Sequence, residues 1–185
     1  MSIRVIAGSA KGRQLKLVPG ETTRPIMDRV KESLFNIIGR DILDTSVCDL
    51  YAGTGSVGIE ALSRGAKQAT FIDLEPRAID TIRANLKLTK LEERATVRRA
   101  DALAILAQPH AAPFDFIYVA PPQYKALWSK TLELLDTAQG WFHEDSSIIV
   151  QIDPTERKDI TLQQLRLEDE RQYGSTLLLF YAVVQ

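Results

Sequence analysis

The chain has 185 residues, 45% hydrophobic and 25% charged, with a net charge of −1. That is an ordinary globular composition, and it excludes collagen-like and low-complexity classes. No apolar run approaches the roughly 18–20 residues that span a membrane, no apolar leader core opens the chain, and the single cysteine, Cys48, excludes an internal disulfide, so a cytoplasmic protein is expected.

Taken in order, Arg4–Ala7 and Arg13–Leu17 read as two short strands around Gly8–Gly12, forming a hairpin or curled arm. Residues 22–25 read as a loop. From Asp28 the pattern is helical, with Val30, Leu34, Ile37 and Ile38 on one face and Gly39 near the end. Strands and helices then alternate. Strands are expected at 46–50, 68–72, 95–99, 114–119 and 147–152, and helices at 57–64, 76–88, 102–106 and 128–135. Two last strands surround Gly174, with 176–184 the clearer. This alternation implies an α/β fold with a mostly parallel sheet covered on both faces, and a closing antiparallel pair. There is no internal repeat and no interdomain linker. The length suits one domain over residues 1–185, with residues 1–20 as a basic arm.

The net charge conceals an asymmetry. Residues 1–40 hold eight basic side chains (Arg4, Lys11, Arg13, Lys16, Arg24, Arg29, Lys31 and Arg40) against three acidic ones, a net of +5. The remainder carries −6. A basic block on an acidic body points to a localised polyanion contact, or else to a solvated face beside an amphipathic helix.

The central motif is Asp49-Leu-Tyr51-Ala52-Gly53-Thr54-Gly55-Ser-Val-Gly58, directly after a predicted strand and opening a helix. Gly53 and Gly55 permit a tight turn and close approach to a ligand, and Gly58 permits close helix–sheet packing. The spacing also satisfies the dinucleotide fingerprint, with Asp73 about 20 residues further on. Charge separates the two readings. A pyrophosphate wants free helix-terminal N–H groups, whereas Asp49 sits four residues before the first glycine. Like charges about 4 Å apart at an effective dielectric near 20 repel by about 4 kcal/mol. S-adenosylmethionine brings an ammonium and a sulfonium, which carboxylates attract. Asp49 then suits the amino-acid end. Asp73, or alternatively Glu75, suits the ribose hydroxyls. Asp101 suits the adenine amino group, or simply caps the helix starting at Ala102. Tyr51, Ala52, Thr54, Leu74 and Ala102 complete the expected cofactor wall.

Over nearly its whole length the chain resembles the RsmD family of 16S ribosomal RNA guanine-N2 methyltransferases. The resemblance is carried by Arg4-Val-Ile-Ala-Gly8, Lys11-Gly-Arg13-Gln-Leu-Lys16, Thr23-Arg24-Pro25, 28–36, 49–60, 71–76 and 114–124. It implies a Rossmann-like class I methyltransferase with a seven-stranded sheet, its last strand antiparallel, and an N-terminal hairpin arm. It implies transfer of a methyl group from S-adenosylmethionine to the exocyclic N2 of a guanine, within an assembling small ribosomal subunit. Separately, a monomer is expected.

One departure stands out. The family usually has Asp or Asn and then Pro-Pro-Tyr or Pro-Pro-Phe after the fourth strand, and this chain has Ala120-Pro121-Pro122-Gln123-Tyr124. A guanine amino group is a poor nucleophile, and acceptors that hold its hydrogens align it and stabilise developing charge. Prolines keep the loop carbonyls pointing outward, having no N–H to divert them. The carbonyls of Ala120 and Pro121 remain, and Tyr124 is expected to stack on the base. The missing acceptor comes from Gln123, from water, or from nothing. The last case describes a catalytically silent RNA-binding assembly factor. A small-molecule methyltransferase is a third reading, and deleting residues 1–20 separates the two: lost RNA binding with intact cofactor binding favours an RNA substrate, and unaffected RNA binding counts against it. Phosphate contacts are expected from Arg4, Lys11, Arg13, Arg24, Arg29 and Lys31.

Cys48 reads as a buried strand residue rather than a nucleophile. His110 and His143 lack metal-ligand spacing, so no metal site is expected. Trp128 and Trp141 read as packing residues.

Overall fold

The computed structural model describes residues 2–20 and 25–185. Arg24, a candidate phosphate contact, lies outside the described residues. The arm is a two-stranded antiparallel pair, β1 (Ile3–Arg4) and β2 (Gln14–Leu15), each shorter than its apolar pattern suggests. Helix α1 (Asp28–Ile38) ends at Gly39.

Next come β3 (Ser46–Leu50), α2 (Ser56–Ser63), β4 (Gln68–Asp73), α3 (Pro76–Thr89), β5 (Ala95–Arg99), α4 (Ala102–Leu106), β6 (Phe114–Val119), α5 (Leu127–Thr137), β7 (Phe142–Ile152), β8 (Leu165–Tyr173) and β9 (Thr176–Val183). Strand β7 begins five residues before its expected start, in a polar stretch that alternation does not mark. The seven-stranded sheet has the order β5-β4-β3-β6-β7-β9-β8. Strands β3 to β7 pair in parallel, and β9 runs antiparallel between β7 and β8. The antiparallel last strand is therefore as expected.

Strand alternation splits the core in two. Val47, Phe71, Tyr118 and Ile149 face α1, α2, α3 and the arm, while Cys48, Ile72, Ile117 and Val150 face α4 and α5. Cys48, Trp128 and Trp141 are buried, as read from the sequence. In α1 the buried residues are Val30, Lys31, Leu34 and Phe35, and Ile37 is exposed. The apolar face expected through Ile37 is thus turned by about one residue, because a lysine takes a core position.

The chain order reverses between β3 and β6: β3 leads outward to β4 and β5, and the chain then returns to the other side of β3. At such a switch point the loops diverge and leave a crevice beyond the carboxyl ends of the strands.

Candidate functional site

A cavity of about 540 Å³ occupies that crevice. Every residue expected to form the cofactor wall lines it except Gly55: Asp49, Tyr51, Ala52, Gly53, Thr54, Asp73, Leu74, Asp101 and Ala102. Gly55 acts from behind, through its backbone. Gly53 and Gly55 hold φ values of +57° and +78°, which L side chains rarely adopt, and this bends the chain from β3 into α2. A Cβ on Gly58 would lie 2.4 Å from the Phe71 ring, so α2 seats on the sheet only because that atom is absent.

The loop's N–H groups point at carboxylates. Gly58 N–H donates to Asp49 at 3.1 Å, and Gly53 N–H donates to Asp73 at 2.8 Å. A pyrophosphate would find these donors taken and the Asp73 carboxylate in front of it, so a dinucleotide fits poorly. Asp49 is only 2% exposed. Burial pushes its carboxyl up to about 8, with Asp73 adding to the shift and the Gly58 N–H opposing it. A buried carboxyl raised by desolvation gives up its proton when a cation is bound beside it. Asp73 also accepts from Glu75 N–H at 3.0 Å, and Asp101 caps α4 by accepting from Ala104 N–H at 3.0 Å. Each of these two carboxylates keeps acceptor capacity, and both residues line the cavity. Tyr51 stands at φ +62° and its hydroxyl pairs with Thr131 at 2.7 Å, tying the loop to α5. Exposed Leu74 and half-buried Leu103 supply apolar surface near Asp101.

The other half of the lining is Ala120, Pro121, Pro122, Gln123, Lys125 and Leu127, with Tyr118 and Gln151 beneath. One continuous cavity therefore joins the glycine loop to the double-proline loop.

A family model described as conserved hypothetical protein 95 matches residues 3–182. The chain belongs to this family. A Bacillus subtilis protein named as a candidate rRNA methyltransferase is 39% identical over 181 residues, 97% of this chain and 98% of that protein. The Haemophilus influenzae ribosomal RNA small subunit methyltransferase D is 35% identical over 174 residues, 93% of this chain and 89% of that protein. A solved Escherichia coli chain, described as a candidate methyltransferase, superposes with a TM-score of 0.87 at 32% identity, covering 99% of this chain and 98% of that one. The RsmD resemblance read from the sequence is borne out, and so is the fold it implied.

Two expectations read from the sequence need correction, and the part played by the arm is wider than the sequence suggests. Lys31 is not a surface phosphate contact. Its side chain is fully buried, donating to the Arg4 carbonyl at 2.6 Å and the Ser56 hydroxyl at 2.8 Å, with Glu60 Oε2 at 3.5 Å. Burial lowers its pKa, and the Glu60 carboxylate opposes that shift. Charge counting cannot detect this, because Glu60 lies 29 residues away in an unrelated helix.

Tyr124 does not line the cavity. It is 69% exposed, its N–H donates to Glu156 at 2.9 Å and its hydroxyl to Asp153 at 3.0 Å. Left-handed φ values at Tyr124 and Ala126 turn this loop outward.

The arm is also more than an appendage. Leu17, Val18, Pro25 and Ile26 line the cavity. Asn85 of α3 accepts from Lys16 N–H at 2.7 Å and donates to the carbonyls of Lys16 and Thr54, fastening the arm to the glycine loop. Deleting residues 1–20 therefore cannot leave the cofactor wall intact. Apart from Pro25, which belongs to the Thr23-Arg24-Pro25 motif, these wall residues carry no local signal in the sequence. Of the remaining basic candidates, Lys11, Arg13 and Arg29 are exposed, and Arg4 is exposed with its guanidinium 3.4 Å from Asp28.

Among the described residues no group of three or more acidic, histidine or cysteine side chains could hold a metal ion, and no helix is long and apolar enough to cross a membrane.

Proposed function

We propose that the protein transfers a methyl group from S-adenosylmethionine to the exocyclic N2 of a guanine in 16S ribosomal RNA of the small subunit. The observation that carries this reading is the single cavity joining three strand-end carboxylates to the double-proline loop. Relatives named as ribosomal RNA methyltransferases, matched over most of their length, support the same substrate class.

Asp49 would hold the cofactor's ammonium, Asp73 the ribose hydroxyls and Asp101 the adenine amino group, with Leu74 and Ala102 against the ring. S-adenosylmethionine, when bound, supplies an electrophilic methyl group on a sulfonium. The protein's part is positioning. The carbonyls of Ala120 and Pro121 accept hydrogen from the incoming amine, and Pro121 and Pro122 keep those carbonyls outward. Gln123 offers a further amide at the rim. The base must leave its stack to reach this depth, which suits an exposed loop nucleotide in an assembling particle. Exposed Lys11, Arg13, Arg29 and Arg4 serve as phosphate contacts.

Ala120 favours a second reading, a silent assembly factor that keeps the fold, because it has no side-chain acceptor. One experiment separates the two. Small-subunit RNA from cells lacking the gene is mapped by mass spectrometry for one missing methylguanine, and purified wild type and Ala120→Asp are assayed on that RNA. Loss of one modification, restored by the wild type in vitro, supports methyl transfer. RNA binding without turnover, with Ala120→Asp gaining turnover, would establish the silent reading.

A further inference from the structure

The cavity floor carries a polar pair that the cofactor reading does not use. Tyr118, two residues before Ala120 on β6, is buried, and its hydroxyl donates to the Gln151 carboxamide oxygen on β7. Both side chains line the cavity. Val119 and Val150 are register partners, so Ala120 and Gln151 stand side by side one step further on. Alternation puts Tyr118, Ala120 and Gln151 on the face that also carries Asp49, which pairs with Tyr118 across β3 and β6. Asp49, Tyr118 and Gln151 thus run in order across one face. Asp49 lies under the glycine loop, and Gln151 lies beside the double prolines.

A glutamine tied at one end is an oriented group. The Tyr118 hydroxyl takes one lone pair of the carboxamide oxygen, and the amide N–H groups make no hydrogen bond to the described residues. A carboxamide oxygen has two lone pairs and its nitrogen two donors. Gln151 therefore still offers an acceptor and a donor side by side. The matching partner is a base edge on which an amino donor adjoins a ring-nitrogen acceptor. Guanine presents that pattern through N2 and N3, adenine through N6 with N7 or N1, and cytosine through N4 with N3, so the pair excludes uracil and the methyl-transfer reading selects guanine.

We infer that Gln151 reads the methyl-accepting guanine, accepting from N2 through Oε1 and donating to N3 through Nε2, with Tyr118 as its positioning residue. This rests on the methyl-transfer reading above. It supplies from the neighbouring strand the side-chain acceptor that Ala120 lacks. Accepting one N2 hydrogen orients the amine and favours the charge that develops on it as the bond to the methyl carbon forms.

The test is single-turnover methyl transfer to small-subunit particles from cells lacking the gene, with S-adenosylmethionine affinity and melting temperature measured separately. Gln151→Met keeps the bulk and removes both hydrogen-bonding ends. Its rate is expected to fall by about 10- to 100-fold, with cofactor affinity unchanged. Tyr118→Phe keeps the carboxamide but frees it, and should lower the rate at saturating RNA, by roughly three- to tenfold, without raising KM. If Gln151→Met melts early, Tyr118→Phe decides. An active wild type with both variants within about twofold of it overturns the inference and leaves the methyl-transfer reading standing. A wild type that binds S-adenosylmethionine but turns over no small-subunit particle sinks that reading, and the inference with it.

Discussion

Lys31 and Glu60 form a fully buried ion pair, Nζ 3.5 Å from Oε2, beneath the N-terminal arm. Glu60 also accepts from the N–H groups of Ile6 and Ala7 at 2.9 and 3.0 Å, and from Arg64 Nε at 2.8 Å. Lys31 reaches Ser56 at the start of α2. Two residues far apart in sequence thereby lock the arm to the helix that leaves the glycine loop.

Glu60→Ala should be costly, because the Lys31 ammonium is left buried and unpaired, and is expected to lower stability by about 3–5 kcal/mol, read from urea denaturation midpoints. Lys31→Ala should cost less, because Arg64 still pairs with Glu60. Replacing both with apolar residues should recover only part of the loss, since the Ile6 and Ala7 N–H groups still lack their acceptor.

Deleting residues 1–20 should impair S-adenosylmethionine binding as well as RNA binding. Leu17 and Val18 leave the cavity wall, and Asn85 loses the Lys16 partners that hold it against Thr54. Calorimetric titration of the truncated protein checks this. Full cofactor affinity in the truncated protein would show that the wall formed by the arm is dispensable.

Cofactor binding should depend on pH through Asp49. With its carboxyl raised to about 8, the ligand-free site holds a proton at neutral pH, and binding a cation requires that proton to leave. Affinity should climb by up to about tenfold per pH unit below 8 and then level off. Asp49→Asn should bind weakly and without that slope. The sign for stability is opposite. The unfolded carboxyl ionises near 4, so the ligand-free protein loses stability as pH rises from there through about 8, and the Asn variant escapes that loss.

Gly58→Ala tests the seating of α2. The added methyl would meet the fully buried Phe71 ring at 2.4 Å, and neither helix nor sheet can retreat without opening the core. A destabilisation of about 1–3 kcal/mol is expected from thermal or urea unfolding, with weaker S-adenosylmethionine binding.

Phosphate-binding side chains should reveal themselves through salt. Alanine at Lys11, Arg13 or Arg29 should weaken RNA binding and reduce the slope of log affinity against log salt by about 0.7–0.9 for each phosphate no longer neutralised. Substituting Lys31 should leave that slope unchanged whenever the protein remains folded, because its ammonium is sealed from solvent.

The alternation of elements, the glycine loop and the acids at three strand ends were legible in the sequence. Each is a local pattern: period two in strands, period 3.6 in helices, and residues placed at strand ends by chain adjacency. Bounds of β5, α4 and β6 follow from that periodicity alone. Other features depend on contacts between distant segments. The insertion of β9 between β7 and β8, the burial of Lys31 against Glu60, the arm as a cavity wall, and Tyr124 drawn away by Asp153 and Glu156 leave no mark in local periodicity. Gln151 was unremarkable as a strand residue until the strand order set it beside Ala120. Sequence by itself determined which residues could carry the chemistry. Tertiary structure decided which of them meet, because the balance between burying a charge and solvating it is settled only when the sheet and its helices close around it.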